Sequence, residues 1–465
     1  MKKNWIGKVL AMVLVAGVLI LGNGTADASA AAKVSKIKWS NVKTKRTMYR
    51  GTSKTFTVKI TPSKAKSRKL QWYSSNKKVA TVNSKGTVTA KKNGTAYITC
   101  RVKTQKSKKV RCKVTVKTQK VTKVSLSSDQ AVIQKGKTYV RKATVSPSYA
   151  YDKRVTYSSS NTKVATVSSS GTVTGKAEGT VTITATSRDG SKKKDTYSVR
   201  VIGNITSKSA KFIGHRGLSS EAPENTVKAF ELAGQAGFWG AECDVRMTSD
   251  GQFIINHDTT FKRMCGVDKR PENMTLAEVE KLKIISGNNY SKYKADQEAT
   301  GVATLKEYLQ VCKKYGMVPI IEIKMEYNEN GMVRSTNSNG MQAMVEKDMT
   351  NLYSEVKSVM GNAECRFIAF DLETMVQMRK VLKTDTLANV TLQHVTQYPN
   401  TGNINYYRNR GIELDCNYVN ISASQIKQFQ NNKVKVNLWT VDDQGKVWDY
   451  IKAKVDYITT NKRFW

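Results

Sequence analysis

The sequence predicts a multidomain protein in which two small all-β sandwiches precede an eight-stranded α/β barrel. Three observations predict this order. A block of residues recurs once near the N-terminus at a spacing of 85 positions. Short runs of Val, Ile, Thr and Tyr, separated by Ser, Gly, Asn and Lys turns, fill both copies. Beyond residue 211, apolar runs alternate with helical patterns, which is typical of a parallel barrel.

The first thirty residues predict a secretory signal peptide, residues 1–30. Lys2, Lys3 and Lys8 form a basic region, Val9–Leu21 is apolar, and Ala28–Ala30 is a small-residue cleavage site. The alternative is an uncleaved anchor helix, for which the apolar run is short. We therefore expect a secreted, extracellular protein associated with the cell wall or cell surface.

The two repeats are predicted to span residues 33–118 and 120–203. They are aligned by residues that lie 85 positions apart: Val79 and Val164, Gly86 and Gly171, Gly94 and Gly179. The shared run, V-A-T-V followed by G-x-V-T and G-T, resembles the bacterial immunoglobulin-like domain, group 2. This resemblance implies an immunoglobulin-like sandwich for each repeat and a role as a spacer or adhesive unit.

Positive charge is concentrated in the repeats. Residues 33–208 contain 42 Lys and Arg against 5 Asp and Glu, whereas residues 209–465 contain 33 against 30. Such an excess indicates a polyanionic partner, and we expect residues 33–208 to bind an anionic cell-wall polymer or membrane surface. The alternative is a solvated, soluble spacer. Sparse aromatic residues, dispersed charge and the predicted export argue against nucleic acid.

The seven cysteines show no metal-binding spacing. Cys100 and Cys112 lie in two strand-like runs on either side of a Lys-rich turn, and the hairpin register decides whether they can pair. The other five occur singly in the second half of the chain and are predicted to be buried. Strand alternation places Cys243 on the face opposite its two acidic neighbours.

A short polar linker, residues 204–210, is predicted before a barrel domain at residues 211–465. The predicted barrel strands are Phe212–Gly214, Ala241–Val245, Val318–Ile323, Phe367–Phe370, Val390–Leu392, Ile412–Asp415, Val434–Leu438 and Tyr457–Thr459. The predicted helices are Asn225–Ala236, Leu305–Tyr315, Met341–Val359, Leu372–Leu382, Ser422–Gln430 and Gln444–Lys452. Phe253–Asn256 is predicted as an additional hairpin strand, and Met264–Thr300 as an irregular insertion.

Candidate functional residues follow the predicted strands, where barrel active sites lie. They are His215, Arg216, Glu242, Asp244, His257, Glu322, Lys324 and Trp439. Glu242 and Asp244 are two residues apart on one strand and therefore share a face. Three carboxylates on neighbouring strands form an all-oxygen site suited to Ca²⁺ or Mg²⁺. Arg216 and Lys324 can bind a phosphate, and the two histidines can act as acid and base. Which histidine is the acid stays open, as does whether the nucleophile is water or the substrate's own hydroxyl.

The motifs G-H-R-G, P-E-N-T, E-x-D-V-x-x-T-x-D-G, H-D, E-I-K, W-T-V and T-N occur in series and together resemble the glycerophosphodiester phosphodiesterase family. The resemblance implies a TIM barrel, (β/α)₈, that hydrolyses glycerophosphodiesters to an alcohol and glycerol 3-phosphate. It also implies that His215 and His257 are the acid/base pair and that Glu242, Asp244 and Glu322 bind the metal.

Several residues keep two interpretations. Glu224 and Asn225 contact the site, or Asn225 caps the following helix. Trp439 is a wall for the glycerol moiety or an aromatic plug in the barrel mouth. Asp258 orients a neighbour or caps a turn. For His394, which has no companion motif, a structural role is favoured.

Three functional hypotheses follow. The first is an exported phosphodiesterase held at the cell envelope by its basic modules, with a polyglycerol-phosphate teichoic acid as both anchor and substrate. The second is a phospholipase D-like enzyme acting on lysophospholipids. The third is a surface adhesin with a passive barrel.

Overall fold

The computed structural model describes residues 32–65, 67–127, 130–327, 342–383 and 389–465. The predicted signal peptide and residue 341, where one helix was predicted to begin, lie outside these residues. The described chain forms two compact units. One comprises residues up to Ser125 together with Thr144–Thr156 and Thr186–Lys194, and the other comprises Leu126–Ala143, Tyr157–Ala185 and Asp195–Trp465.

The first repeat is an all-β structure, as predicted. Its strands are β1 (Lys36–Trp39), β2 (Lys45–Tyr49), β3 (Ser53–Thr55), β4 (Val58–Thr61), β5 (Leu70–Ser74), β6 (Ala80–Val82), β7 (Thr87–Ala90), β8 (Gly94–Val102) and β9 (Gln105–Lys117). They form sheets in the orders β2-β9-β8-β5, β3-β7-β6 and β1-β4. In β8 every second residue from Ala96 to Val102 is buried, because alternate side chains point to opposite faces.

The hairpin of β8 and β9 carries the two cysteines of this repeat. Cys100 is opposite Val110, and Cys112 is opposite Ile98, so the two cysteines are not paired across the strands. Both are free and buried. They therefore contribute to the core as small apolar residues.

A turn glycine at the same place in each repeat has a defined structural reason. Gly86 and Gly171 have φ of +81° and +83°. A Cβ at Gly86 would lie 2.6 Å from the carbonyl oxygen of Phe56, and one at Gly171 would lie 2.3 Å from that of Arg141. Only glycine fits both the left-handed backbone and this close approach.

The second repeat is built from nine strands among the described residues. They are β10 (Lys123–Ser125), β11 (Gln130–Gln134), β12 (Thr138–Val140), β13 (Thr144–Ser146), β14 (Val155–Ser159), β15 (Ala165–Val167), β16 (Thr172–Gly175), β17 (Gly179–Ser187) and β18 (Lys194–Ile202). The strand β11 pairs in parallel with β18, and β16 pairs with both β12 and β15. The equivalent pairings occur in the first repeat between β2 and β9 and among β3, β7 and β6.

The remainder of the chain is an α/β barrel. Its strands are β19 (Lys211–Gly214), β20 (Gly240–Met247), β21 (Phe253–Ile255), β22 (Val318–Ile323), β23 (Met325–Tyr327), β24 (Gln342–Met344), β25 (Cys365–Ala369), β26 (Val390–Thr396), β27 (Ile412–Asn417), β28 (Val436–Trp439) and β29 (Tyr457–Thr460). The order β19-β29-β28-β27-β26-β25-β22-β20 is closed by pairing of β19 with β20, all in parallel. This is the predicted TIM barrel. The predicted hairpin strand, β21, pairs antiparallel with β20.

The helices of this domain are α1 (Val227–Gln235), α2 (Lys262–Cys265), α3 (Leu276–Val279), α4 (Tyr290–Tyr293), α5 (Gln297–Thr300), α6 (Leu305–Tyr315), α7 (Glu346–Met360), α8 (Leu372–Lys383), α9 (Ile404–Arg410), α10 (Ala423–Asn431) and α11 (Gln444–Lys452). Three 3₁₀ turns are Pro271–Asn273, Thr401–Asn403 and Tyr418–Asn420. The predicted insertion, Met264–Thr300, contains the end of α2 and all of α3 to α5, and its Met274 and Ile284 form a small core with the preceding Phe261. In the described part of the chain, no helix has the length and apolar character needed to cross a membrane.

The segment predicted as a linker is packed against its surroundings. Ile205 is 3% exposed and belongs to the barrel core, and its N–H donates to Gln134 Oε1 at 2.9 Å. Gln134 Nε2 donates in turn to the Phe464 carbonyl at 2.6 Å. Arg200 of β18 forms a two-bond ion pair with Asp449 of α11. These contacts join the end of the second repeat to the barrel domain.

Candidate active site

Three carboxylates meet at the carboxyl ends of two neighbouring strands. Glu242 and Asp244 share the inner face of β20, and strand register places Asp244 beside Glu322 of β22. One oxygen from each lies within 4.8 Å of the others. The residues are 3%, 1% and 8% exposed. Alternation sends Cys243 to the opposite face, where it is buried in the core around Tyr308, as predicted.

Two cations compensate this acidic cluster. Lys324 Nζ lies 2.5 Å from Glu322 Oε1 and 3.1 Å from Asp244 Oδ1. Arg216 donates its backbone N–H to Glu242 Oε2 at 2.8 Å, and its Nε lies 3.3 Å from Asp244 Oδ2. Asp244 is therefore held between two side-chain cations, whereas Glu242 receives only a backbone donor from Arg216.

The carboxylates consequently differ in pKa. Burial opposes the ionisation of Asp244, yet Lys324 and Arg216 together hold its pKa well below the usual range. Burial, with repulsion from the other two carboxylates, raises the pKa of Glu242 well above its usual value. Burial also raises the pKa of Glu322, although the neighbouring Lys324 partly offsets the rise. When all three carboxylates are ionised, the two cations leave one negative charge uncompensated.

The cluster fits a divalent cation. Glu242 Oε1 is buried and has no hydrogen-bond partner among the described residues. A buried carboxylate oxygen without a donor is costly, and a cation bound there would satisfy it. Oxygen-only donors are the ligands that Ca²⁺ and Mg²⁺ prefer. Glu242, Asp244 and Glu322 are the residues that would hold such an ion.

His215, directly after β19, is oriented by a neutral amide. Its Nδ1 lies 2.8 Å from Asn461 Oδ1. The same oxygen accepts from the Ser219 hydroxyl, and the Asn461 amide donates to Asp442 Oδ2. The amide is thereby fixed with its oxygen toward the ring, so Nδ1 carries the hydrogen and Nε2 is a free base. Burial and the adjacent Arg216 lower the pKa of His215 to about 4.

His257 is oriented by a carboxylate instead. Its Nδ1 lies 2.9 Å from Asp258 Oδ1. Arg263 donates to both Asp258 oxygens, at 2.7 and 3.0 Å, and to Glu224 Oε1 at 2.6 Å. Glu224 also accepts from Arg216 at 2.8 Å. Of the two interpretations for Asp258, the structure supports orientation of a neighbour, and Glu224 links the two arginines.

Asn225 contacts the site and does not cap the helix. Its Nδ2 donates to Asp244 Oδ2 at 2.7 Å. The N-cap of α1 is Thr226, whose side chain accepts from the Ala229 N–H. Asn225 has φ of 58°, a left-handed conformation that asparagine tolerates better than most residues, and this turns its side chain toward Asp244.

A cavity of about 170 Å³ opens above these residues. It is lined by His215, Arg216, Glu242, His257, Ile320, Glu322, Lys324, Ile368, Phe370, Val395, Gln397, Asp415, Trp439 and Thr459. Trp439 lies in its wall with its ring 5.9 Å from that of Phe370, edge to face. A larger cleft of about 600 Å³ along α5 and α6 contains none of the predicted site residues.

Several residues of this site were not predicted from the sequence. Phe370 and Gln397 follow β25 and β26, and their positions just after strands were a usable signal. Asp415 gave no signal beyond its place on a predicted strand; burial raises its pKa to about 7. Asn461 belongs to the T-N motif, but its contact with His215 depends on residues 246 positions apart.

His394 has the structural role that the sequence favoured. Its Nδ1 lies 2.8 Å from the Tyr407 hydroxyl, and its Nε2 lies 3.2 Å from the Phe370 carbonyl oxygen. Both ring nitrogens are thus engaged within the barrel wall. His394 does not line the cavity that contains His215 and His257.

The acidic cluster and its cations lie at the carboxyl ends of the strands of a closed barrel, which is where the active sites of such barrels are found. The family model of the glycerophosphoryl diester phosphodiesterase family matches residues 215–463, and that of the bacterial Ig-like domain (group 2) matches residues 38–114 and 120–197. The chain therefore belongs to the glycerophosphoryl diester phosphodiesterase family and carries two such Ig-like domains before the barrel.

Similar proteins include two curated relatives and one solved structure. The chain is 28% identical over 249 residues to a glycerophosphodiester phosphodiesterase of Caldanaerobacter subterraneus subsp. tengcongensis, covering 54% of this chain and 93% of that protein. It is 28% identical over 183 residues to glycerophosphodiester phosphodiesterase 1 of Mus musculus, covering 39% of this chain and 48% of that protein. A phosphodiesterase from Oleispira antarctica, solved with the product sn-glycerol-3-phosphate, aligns at 21% identity and a TM-score of 0.45 over 55% of this chain and 96% of that one.

Proposed function

We propose that the barrel hydrolyses glycerophosphodiesters to an alcohol and glycerol 3-phosphate at the cavity that contains both histidines. This proposal depends on one observation. An acidic triad, two cations and two histidines, one held by an amide and the other by a carboxylate, converge on one cavity. A divalent cation held by the triad would stabilise negative charge that develops on a phosphoryl oxygen. Arg216 and Lys324 supply two further positive charges beside it.

The supports behind the histidines assign their roles. His215 is backed by the neutral amide of Asn461, and its lowered pKa keeps the ring unprotonated at neutral pH. It is therefore the base that accepts the proton of the attacking hydroxyl. His257 is the second histidine of the cavity, and the Asp258 carboxylate holds its Nδ1, which leaves Nε2 available for proton transfer. It is therefore the acid that protonates the leaving alcohol.

The decisive experiment is hydrolysis of glycerophosphocholine by the full chain with Ca²⁺ or Mg²⁺ supplied. We expect release of choline and glycerol 3-phosphate, and a loss of about 10²- to 10⁴-fold in kcat/KM for H215A. The variant H394A is the control for loss of a histidine ring: His394 does not line the cavity, so kcat/KM should fall far less than in H215A even though the bond to the Phe370 carbonyl is lost. Equal turnover by H215A and the parent protein would refute the assigned role.

Export and retention at the envelope form the second part of the proposal. The support is the charge distribution, in which residues 33–208 carry 42 basic and 5 acidic residues. An anionic wall polymer is the partner that such a surface favours. If that polymer is a polyglycerol-phosphate teichoic acid, one molecule is both anchor and substrate. Equal sedimentation of the full chain with walls that contain teichoic acid and walls stripped of it would sink this idea.

One observation favours lysophospholipids as a second substrate class. Three apolar side chains are exposed in the loops that follow β25, β26 and β27. Phe370, Tyr398 and Val419 are 45%, 79% and 70% exposed, and Phe370 also lines the cavity. An apolar rim of this kind would contact an acyl chain. A higher kcat/KM for lysophosphatidylcholine than for glycerophosphocholine, lost in Y398S, would favour this class.

A further inference from the structure

The cavity has a second polar group on the side opposite the acidic triad. Asp415 lies in β27, four strands away from β20 in either direction around the barrel. It is 2% exposed, and it lines the same cavity as His215 and Glu322. Opposite walls of one small cavity therefore both present carboxyl groups, but only one of them is surrounded by cations and histidines.

The Asp415 side chain is held in place from behind. Asn437 of β28 donates from Nδ2 to Asp415 Oδ1 at 2.9 Å and to the Thr459 hydroxyl at 2.9 Å. Asn437 is 1% exposed and cannot turn away without losing both bonds. Among the described residues no other hydrogen bond reaches the Asp415 side chain, so its second carboxyl oxygen is left without a partner at the cavity wall.

The surroundings of that oxygen restrict what it can bind. Val395 of β26 is in register with Asp415, and Ile320 and Ile368 add two further apolar side chains to the cavity lining. A carboxylate there repels a phosphate, and no cation of the described residues lies in hydrogen-bond range of it. A substrate hydroxyl is the group that would satisfy it, because a hydroxyl can donate to a carboxylate. The volume of about 170 Å³ accommodates a short polyol beside a phosphate.

We propose that Asp415 determines specificity by hydrogen-bonding the terminal hydroxyl of the glycerol moiety while the phosphate lies against the triad. This inference rests on the proposed function, since it places the glycerol of a glycerophosphodiester at the deep end of the cavity. The second alcohol then points toward the open mouth, where less of it is recognised. Asn437 acts as a positioning residue that fixes the Asp415 carboxyl.

The test compares two substrates that differ in one hydroxyl: glycerophosphocholine and 2-hydroxypropyl phosphocholine, which lacks the terminal hydroxyl. We expect the parent protein to prefer glycerophosphocholine by about 10- to 100-fold in kcat/KM. D415L removes both oxygens, retains a similar side-chain size and suits the apolar side chains of the lining. It should bring the ratio close to 1, mainly by raising KM for glycerophosphocholine.

The control and the alternative outcomes separate this inference from the function beneath it. D268N alters a carboxylate that is 61% exposed and lies outside the cavity, and it should leave the ratio unchanged. If D415L lacks the parent melting transition, D415N replaces it, with an expected fall in the ratio of at least about threefold. A parent-like ratio in the folded variant, or no preference in the parent, overturns the role of Asp415. A parent protein that hydrolyses neither substrate overturns the proposed function itself.

Discussion

Lysine and arginine serve different purposes in the repeats and in the barrel. Residues 33–118 contain 26 Lys and Arg and no Asp or Glu, so none of these cations has an acidic partner within its own repeat. In the barrel, Lys324 and Arg366 are buried and each contacts two carboxylates. A buried cation is committed to its partners, whereas an exposed one remains available to ions from solution. The number of charges therefore says less about function than their burial and pairing do.

The largest effect should come from a buried cation in the site. K324M removes the charge between Asp244 and Glu322 and should lower kcat/KM for glycerophosphocholine by about 10²- to 10³-fold. K85M, the same change at an exposed turn of the first repeat, should leave turnover unaltered. Steady-state kinetics on both variants measures the contrast. Similar losses of kcat/KM in K324M and K85M would contradict the distinction between buried and exposed cations.

A buried cation outside the catalytic cluster tests stability in the same way. Arg366 contacts Glu413 at 2.7 Å, Glu364 at 2.8 Å and the Tyr457 hydroxyl at 2.6 Å. R366M removes the buried cation beside Glu413, which keeps only Gln393 at 3.1 Å and the exposed Lys435 at 3.6 Å, and should reduce the free energy of unfolding by about 3 kcal/mol. R408M, at an exposed helical position, is the matched control and should change it by less than about 0.5 kcal/mol. Urea unfolding of the full chain, followed by a barrel-specific signal, decides between them.

Removal of the exposed cations should change only the binding of the protein to an anionic surface. Substituting Gln for Lys77, Lys78, Lys91 and Lys92 removes four charges from turns of the first repeat. Sedimentation with purified cell walls at low salt should weaken by at least about tenfold, because each exposed basic residue contributes about 1 kcal/mol at an anionic surface. High salt should abolish the difference through screening. The same substitutions at Lys281, Lys427, Lys433 and Lys452 in the barrel keep the net charge equal and should weaken sedimentation less.

The fold could be predicted from the sequence wherever a local pattern determines an element. The eight barrel strands were predicted within a few residues because their apolar runs are continuous, as in Val318–Ile323. Helix α6 was predicted at its exact bounds because Thr304 and Gly316 cap its two ends. Helix α9 was missed, since its sequence, INYYRNR, has no clear apolar stripe.

The candidate site, too, could be predicted from the sequence only in part. Glu242, Asp244 and Glu322 were predicted to come together because strand periodicity and strand order determine their positions. The residue that orients His215, Asn461, lies 246 positions further along the chain, and no local sequence pattern indicates such a contact. Asn225 is an intermediate case. Its type suited a helix cap, but its left-handed backbone directs the amide to Asp244.

The smallest effect should come from an ion pair of intermediate exposure. Arg200 and Asp449 form two hydrogen bonds, and their side chains are 28% and 41% exposed. A double-mutant cycle with R200A and D449A should give a coupling energy of about 0.5 to 1 kcal/mol, between the values for exposed and buried pairs. A coupling near zero would place this pair with the exposed cations of the repeats. A coupling of about 3 kcal/mol, as large as the effect expected for R366M, would mean that the surrounding surface, including the packed segment at Ile205, isolates the pair from water more than its own exposure indicates.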